Sequence, residues 1–309
     1  MKPSPRQRSR AAVFALLVVL CTGGLPHRTT EAAPSASVAS QCAPLDTAAR
    51  ELEAQIAAHN AAGAGLDRYS PAAVDAYNSV SRNLNAQRDT HNARIVECNS
   101  LLKAALEALR SEYSGDYQYI PTQVKVDNLK KLINDLESTG NLDRNFVSPG
   151  PNSSGFYDLP VELDMLYRTL RGRSPTTELR YSQEHLQGQP RPSANDPNPA
   201  RADHRPLGLN GRGLSKVSPD HIIPLVELIQ LPGFLKLSPE NMLRVINSPV
   251  NLQWLPTGVN QGMAHDGALR VANPDMAWVF KQLTLRGTTR LKVLEQIEML
   301  NQLQQAATP

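Results

Sequence analysis

The chain has 309 residues, with 32 Lys and Arg against 29 Asp and Glu for a net charge of +3, and three cysteines. That length accommodates two domains and an ample core. The first apolar run is too short for a stable membrane anchor and no later stretch is apolar enough for a membrane-spanning helix.

The first residues are read apart from the core. Lys2, Arg6, Arg8 and Arg10 precede the apolar run from Ala11 to Leu20, and the small residues Ala32, Ala33 and Ala36 follow. That is the order of a secretory signal, so residues 1–33 are expected to be removed and the protein to be secreted or periplasmic. The removed segment carries five basic residues and one acidic, which takes the remainder to a net charge of about −1. The remainder is uneven: residues 34–167 hold 11 basic and 17 acidic residues, residues 168–216 hold 9 and 4, and residues 217–309 hold 7 and 7. Cys21 leaves with the signal, and the pair Cys42 and Cys98 most simply forms one disulfide in an oxidising compartment.

Leu45–Asn60 reads as an amphipathic helix, with Leu45, Ala48, Leu52, Ile56 and His59 on one face. After a Gly-containing break, Ser70 and Pro71 signal the start of a longer helix. It carries Val74, Tyr77 and Leu84, then His91, Ile95, Cys98, Leu102, Ala105 and Leu109 at alternating steps of four and three, the seam of a coiled coil. A helix from Pro71 to Cys98 climbs about 40 Å; the first helix returns about 24 Å and an extended Cys42–Asp46 about 13 Å, so the cysteines come out level. His59 and His91 on the seam are read as packed polar residues. A third helix is expected at Gln123–Ser138, and a Gly/Asn/Pro/Ser-rich run closes a first domain, residues 34–150.

Residues 151–309 form the expected second domain. Pro160–Arg173 can form a helix, and Gln187–Gly213 is too rich in Pro, Gly, Asn and Arg for a regular element. This stretch brings Arg191, Arg201, Arg205, Arg212 and Lys216 to the approach of an Asp-His pair, either as a solvated linker or as an apron contacting phosphates. Asp220 and His221 end a short strand within Val217–Leu225. A helix follows Ser238 and Pro239, a second strand occupies Asn251–Leu255, and Thr257-Gly258 opens a helix with Asn260 in its first turn. Pro274–Leu285 and Thr289–Ala306 read as two more helices, with Leu291, Leu294, Ile297 and Leu300 facing inward and both packing over the strand unit. Trp254 and Trp278 are expected in the core, and His204 and His265 on the surface.

The run DHIIP, then NLQWL, then Asn260 nine residues after Asn251, resembles the HNH endonuclease superfamily with its ββα-metal finger, in the branch with Asp-His, Asn and Asn. The wider context of PGF, SPENML and NSPVNLQWL is similar to C-terminal nuclease domains of exported bacterial toxins. The close resemblance covers about 50 residues, a core motif at 217–265. Together with the N-terminal periodicity, it implies an α+β, mainly helical protein in which a coiled-coil hairpin precedes an HNH nuclease domain with flanking helices. It further implies that His221 acts as general base and that Asn251 holds the loop carrying it through a backbone hydrogen bond. Asp220 and Asn260 would bind one divalent cation, magnesium or manganese, and Arg212 and Lys216 would contact substrate phosphate. The expected substrate is nucleic acid, double-stranded DNA before RNA, cut with little sequence preference. An inhibitor or immunity protein and coiled-coil self-association are left open. Where relatives usually place a Lys three residues past the last ligand, this chain has Met263. That departure keeps a second expectation alive, an exported interaction protein with an inactive HNH-like scaffold.

Overall fold

The computed structural model describes residues 38, 40–114, 119–153, 155–172, 185–263, 268 and 271–307. The expected signal segment, Arg173 and His265 lie outside them. Among the described residues no helix is long and apolar enough to cross a membrane. The fold is mainly helical with a few short strands, α+β in kind.

Helix α1, Pro44–Gly63, has proline in its first turn, where the missing amide hydrogen costs nothing. Helix α2, Pro71–Ser114, starts at Ser70, whose hydroxyl accepts from the Ala73 amide at 3.4 Å. The two run back along each other. His59 stacks on Tyr77 with ring centroids 4.0 Å apart and meets the Ser81 hydroxyl at 2.7 Å. Further along, Cys42 and Cys98 are disulfide-bonded with their Cα atoms 5.8 Å apart. Cys42–Asp46 is not extended as expected: residues 40–42 are helical and Pro44 already opens α1, so the chain reaches Cys98 by turns of helix.

Helix α3, Gln123–Ser138, buries Leu129, Ile133 and Leu136 and is expected from its spacing down to both ends. The irregular run after it is stitched to the second half of the chain. Arg144 donates from one nitrogen to the carbonyls of Leu235 (2.9 Å) and Leu237 (3.0 Å), and the Gln230 amide donates to the Asp158 carbonyl at 2.9 Å. A short 3-10 turn, Val161–Leu163, leads into α4, Asp164–Arg171. The apolar core is continuous through these connections, from Leu102, Leu129 and Leu166 to Ile223, Phe234, Leu243 and Val293. Each such side chain, fully withdrawn from water, stabilises the fold by about 1.5–3 kcal/mol.

At the start of the segment expected to lack regular structure, β1, His185–Leu186, just before it and β2, Gln189–Pro190, inside it form a minimal antiparallel hairpin. Its turn residues Gln187 and Gly188 have φ of 54° and 63°, the left-handed pair that a two-residue hairpin needs. Gln187 spends its side-chain amide on the carbonyls of Pro249 (3.1 Å) and Val250 (2.8 Å), which anchors the hairpin and offsets the strain.

Strand β3, Val217–His221, pairs antiparallel with β4, Leu252–Pro256, His221 facing Leu252 and Asp220 facing Gln253. Between them lie α5, Leu225–Leu228, and α6, Pro239–Ile246, the latter capped by Ser238, whose hydroxyl accepts from Asn241 at 3.3 Å. Asn251 precedes β4 rather than opening it. It ends a 3-10 turn, Pro249–Asn251, because the Ser248 hydroxyl and Pro249 curl the backbone there. Helix α7, Thr257–Met263, follows β4 directly.

The last element, α8, Met276–Ala306, is one helix of 31 residues where two were expected. Gly287 does not break it: a mid-helix glycine costs about 1 kcal/mol, less than the packing on either side supplies. Continuity also fixes the phase. Thr289, Val293, Ile297 and Leu300 face inward, whereas Leu291, two residues off that line, is 67% exposed. Gly233 is required where α8 passes. At φ 81° a Cβ would stand 2.9 Å from the Asn301 amide nitrogen and 3.1 Å from Ile297.

Candidate functional site

Alternation along β3 sends Ser218 and Asp220 to one face and Pro219 and His221 to the other. Asn260, in α7, donates from its side-chain nitrogen to the Ser218 hydroxyl at 3.1 Å and to the Pro219 carbonyl at 3.3 Å. The carboxamide is thus fixed on the face that carries Asp220, with its oxygen used by neither bond. Helix α7 takes this position because its Val259 and Met263 enter an apolar cluster with Leu255, Trp278 and Val279. Met263 is 9% exposed and packs inward, so this position offers packing rather than a cationic contact.

Asp220 is half-buried, and burial pushes its carboxyl up to about 7. The groups that favour its charged form are hydrogen-bond donors, the His221 amide and the Gln253 side chain. Gln253, a residue not singled out from the sequence, is buried at 7% exposure directly across the ladder. Its amide nitrogen also donates to the Gln282 side-chain oxygen of α8 at 2.8 Å. The available signal was a polar residue at an alternate position of an otherwise apolar strand.

His221 ends β3 with limited solvent contact, its Nε2 2.7 Å from the Ile246 carbonyl at the end of α6. A carbonyl can only accept, so Nε2 carries the hydrogen and Nδ1 the lone pair. Burial lowers the imidazole pKa, against which the Ile246 carbonyl works. Such a ring is neutral near neutrality, the form in which it can take up a proton.

The segment after His221 is held by Asn251, which is fully buried. Its side-chain oxygen accepts from the Ile223 amide at 2.7 Å and its nitrogen donates to the Ile223 carbonyl at 3.0 Å, while its own backbone carbonyl accepts from Ile222 at 2.9 Å. Three hydrogen bonds therefore fix the two residues after the histidine.

The basic positions lie upstream of β3 in the loop stretch. Arg212 is exposed in a tight turn closed by Asn210 and Leu214, and Lys216, also exposed, reaches over Gly208 just before β3. Arg191 lies over the ring of Trp254, its guanidinium carbon 5.1 Å from the centroid. Trp254 is consequently only half-buried, in contrast to the core position expected, because it lies on the face that β1 and Arg191 cover. Trp278 is core as expected. His204 is exposed, with its Nε2 3.3 Å from the Asp275 carboxylate. A second residue missed from the sequence is Glu227, at 2% exposure, whose carboxylate is paired with Arg286 and, at 3.3 Å, with Arg290.

Among the described residues no three His, Cys, Asp or Glu side chains converge to hold a metal. An Asp and an Asn form a different donor set, two hard oxygens that suit a hard divalent cation and leave most of its coordination to water and substrate. The fixed Asn260 amide and the crowded Asp220 carboxyl on one strand face fit such an ion. Compared with known protein families, with curated proteins and with solved structures, the chain matches none.

Proposed function

We propose that the chain is an exported, metal-dependent endonuclease of the HNH type, with a coiled-coil hairpin in α1 and α2 and a ββα finger in β3, β4 and α7. The observation that carries this is the Asn260 carboxamide, bonded to Ser218 on the same strand face as Asp220, whose neighbour in sequence, His221, keeps Nδ1 out of its bond to Ile246. A divalent cation, magnesium by the oxygen character of its donors, would be held by the Asp220 carboxylate and the Asn260 oxygen; when bound, it stabilises charge on the scissile phosphate and the leaving oxygen. His221 accepts a proton at Nδ1 from the attacking water, Nε2 remaining on the Ile246 carbonyl. Asn251 keeps the following turn from shifting the ring. Arg212 and Lys216 bind flanking phosphates without reading bases, which suits DNA of any sequence. The disulfide and the leader-like first 33 residues support export.

The test is nicking of a supercoiled plasmid with magnesium or chelator by wild type, His221→Ala and Asp220→Ala. Wild-type cleavage is expected to need the metal, to weaken as salt rises, and to fall about 10²–10⁴-fold in His221→Ala. Equal rates for wild type and His221→Ala would overturn the proposal. One observation favours a second reading, an interaction protein with an inactive finger: Met263 is packed into the apolar cluster at the position where HNH nucleases usually carry a lysine. That reading predicts no metal-dependent cleavage by any of the three proteins.

A further inference from the structure

We infer that Gln253 and Gln282 are positioning residues that aim the Asp220 carboxylate, so that α8 takes part in building the metal site. This inference presupposes the nuclease reading. Gln253 stands opposite Asp220 in the β3–β4 register and is buried, a position where a second apolar residue would complete the strand. One hydrogen of its amide goes to the Gln282 oxygen at 2.8 Å, and the amide stands across the ladder from the Asp220 carboxyl, whose charged form it favours.

The direction of the pair matters. A carboxylate accepts only, so Gln253 must present its nitrogen, not its oxygen, to Asp220. The Gln282 oxygen accepts from the same nitrogen and thereby holds the amide in that orientation. Turned over, the amide would set its oxygen against the carboxylate. Gln253 thus stands beside the carboxylate across the ladder, and Asn260, bonded to Ser218, lies on the same strand face. Outer hydrogen bonds of this kind typically change metal affinity by about 10–100-fold when removed. Gln282 lies about one and a half turns along α8 from Met276, in the stretch where Trp278 and Val279 seat the helix against α7. Helix α8 therefore contributes both the apolar backing of α7 and the polar support of Asp220.

The experiment measures Mn²⁺ affinity of the full chain by calorimetry and by the electron paramagnetic resonance signal of free Mn²⁺. The proteins are wild type, Asp220→Ala, Gln253→Met, Gln282→Met and Gln282→Glu. Methionine keeps the length of glutamine without a donor, and Glu at 282 keeps an acceptor for Gln253. Wild type is expected to bind one ion, Asp220→Ala none, Gln253→Met about tenfold more weakly, and Gln282→Met more weakly by a smaller factor, with Gln282→Glu restored close to wild type. Melting temperatures taken without metal separate site effects from folding: a purely structural role would move the melt and leave affinity alone. Wild-type affinity in a folded Gln253→Met, with Asp220→Ala still unable to bind, overturns the relay and leaves the nuclease reading standing. Absence of Asp220-dependent binding in wild type overturns both. Should Gln253→Met fail to fold, the Gln282 pair decides: equal affinity of Gln282→Met and Gln282→Glu overturns the relay.

Discussion

The α1–α2 pair and the β3–β4–α7 unit both bring together residues far apart in the chain, but they do so by different means. In the helix pair contact repeats: steps of three and four residues set Leu84, Cys98, Leu102 and Leu109 on one buried face, and a trimmed side chain leaves its neighbours in place. In the strand unit each polar contact occurs once. Asn251 alone satisfies the Ile223 amide and carbonyl, and the Ser218 hydroxyl and Pro219 carbonyl share one Asn260 nitrogen. A buried polar group that loses its only partner bears the full desolvation penalty, whereas an apolar face loses a fraction of its area. Damage per atom should therefore be greater in the strand unit.

The sharpest test of that contrast is Asn251→Leu. It strips partners from two buried backbone groups and should cost about 2–6 kcal/mol, read from the denaturation midpoint. A cost below about 1 kcal/mol would show that the turn satisfies itself in another way. On the helical side the largest lever is covalent. Replacing Cys42 and Cys98 together by alanine removes a link across a sequence separation of 56 and should cost about 2–4 kcal/mol, with the helical circular dichroism retained below the melt.

Asp220→Asn sharpens the comparison in the opposite direction, since here a polar group is a burden. The folded carboxyl titrates near 7 against an ordinary 3.8, so its contribution is complete below pH 4 and is lost as pH rises from there through 7. In chelator, the asparagine variant should be more stable than wild type at pH 8, by about 2–3 kcal/mol once the shift is discounted for solvent screening of the half-buried carboxyl, and no more stable at pH 3.5. Parallel stability curves for the two proteins would count against the burial of that charge. The smallest effect belongs to the long helix. A Cβ at Gly287 meets nothing within 4 Å, so Gly287→Ala should stabilise by about 0.5–1 kcal/mol in thermal melts.

The same contrast decides what could be read from the chain. Periodicity located α3 at Gln123–Ser138, and proline after serine located the starts of α2 and α6, because local steric rules set them. The spacing of Asp220, His221, Asn251 and Asn260 singled out four residues that the fold gathers around β3. Three things were not legible. Two helices were expected where tertiary packing keeps one, and that continuity turned Leu291 outward. Asn251 looked like the first residue of a strand, although the Ser248 hydroxyl makes it the end of a turn. Gln253 and Glu227 gave no more than a polar residue in an apolar run, which acquires meaning only from a partner many positions away, here Gln282, Arg286 and Arg290.

Glu227 also imposes an order on events. Its arginines lie 59 and 63 positions later, so a chain growing from its amino end carries this carboxylate long before anything can neutralise it. Until they arrive, α5 must stay hydrated rather than dock, and α5 begins only four residues after His221. The surroundings of that imidazole can close only after Arg286 has been made, which leaves the earlier helices free to fold, oxidise their cysteines and wait.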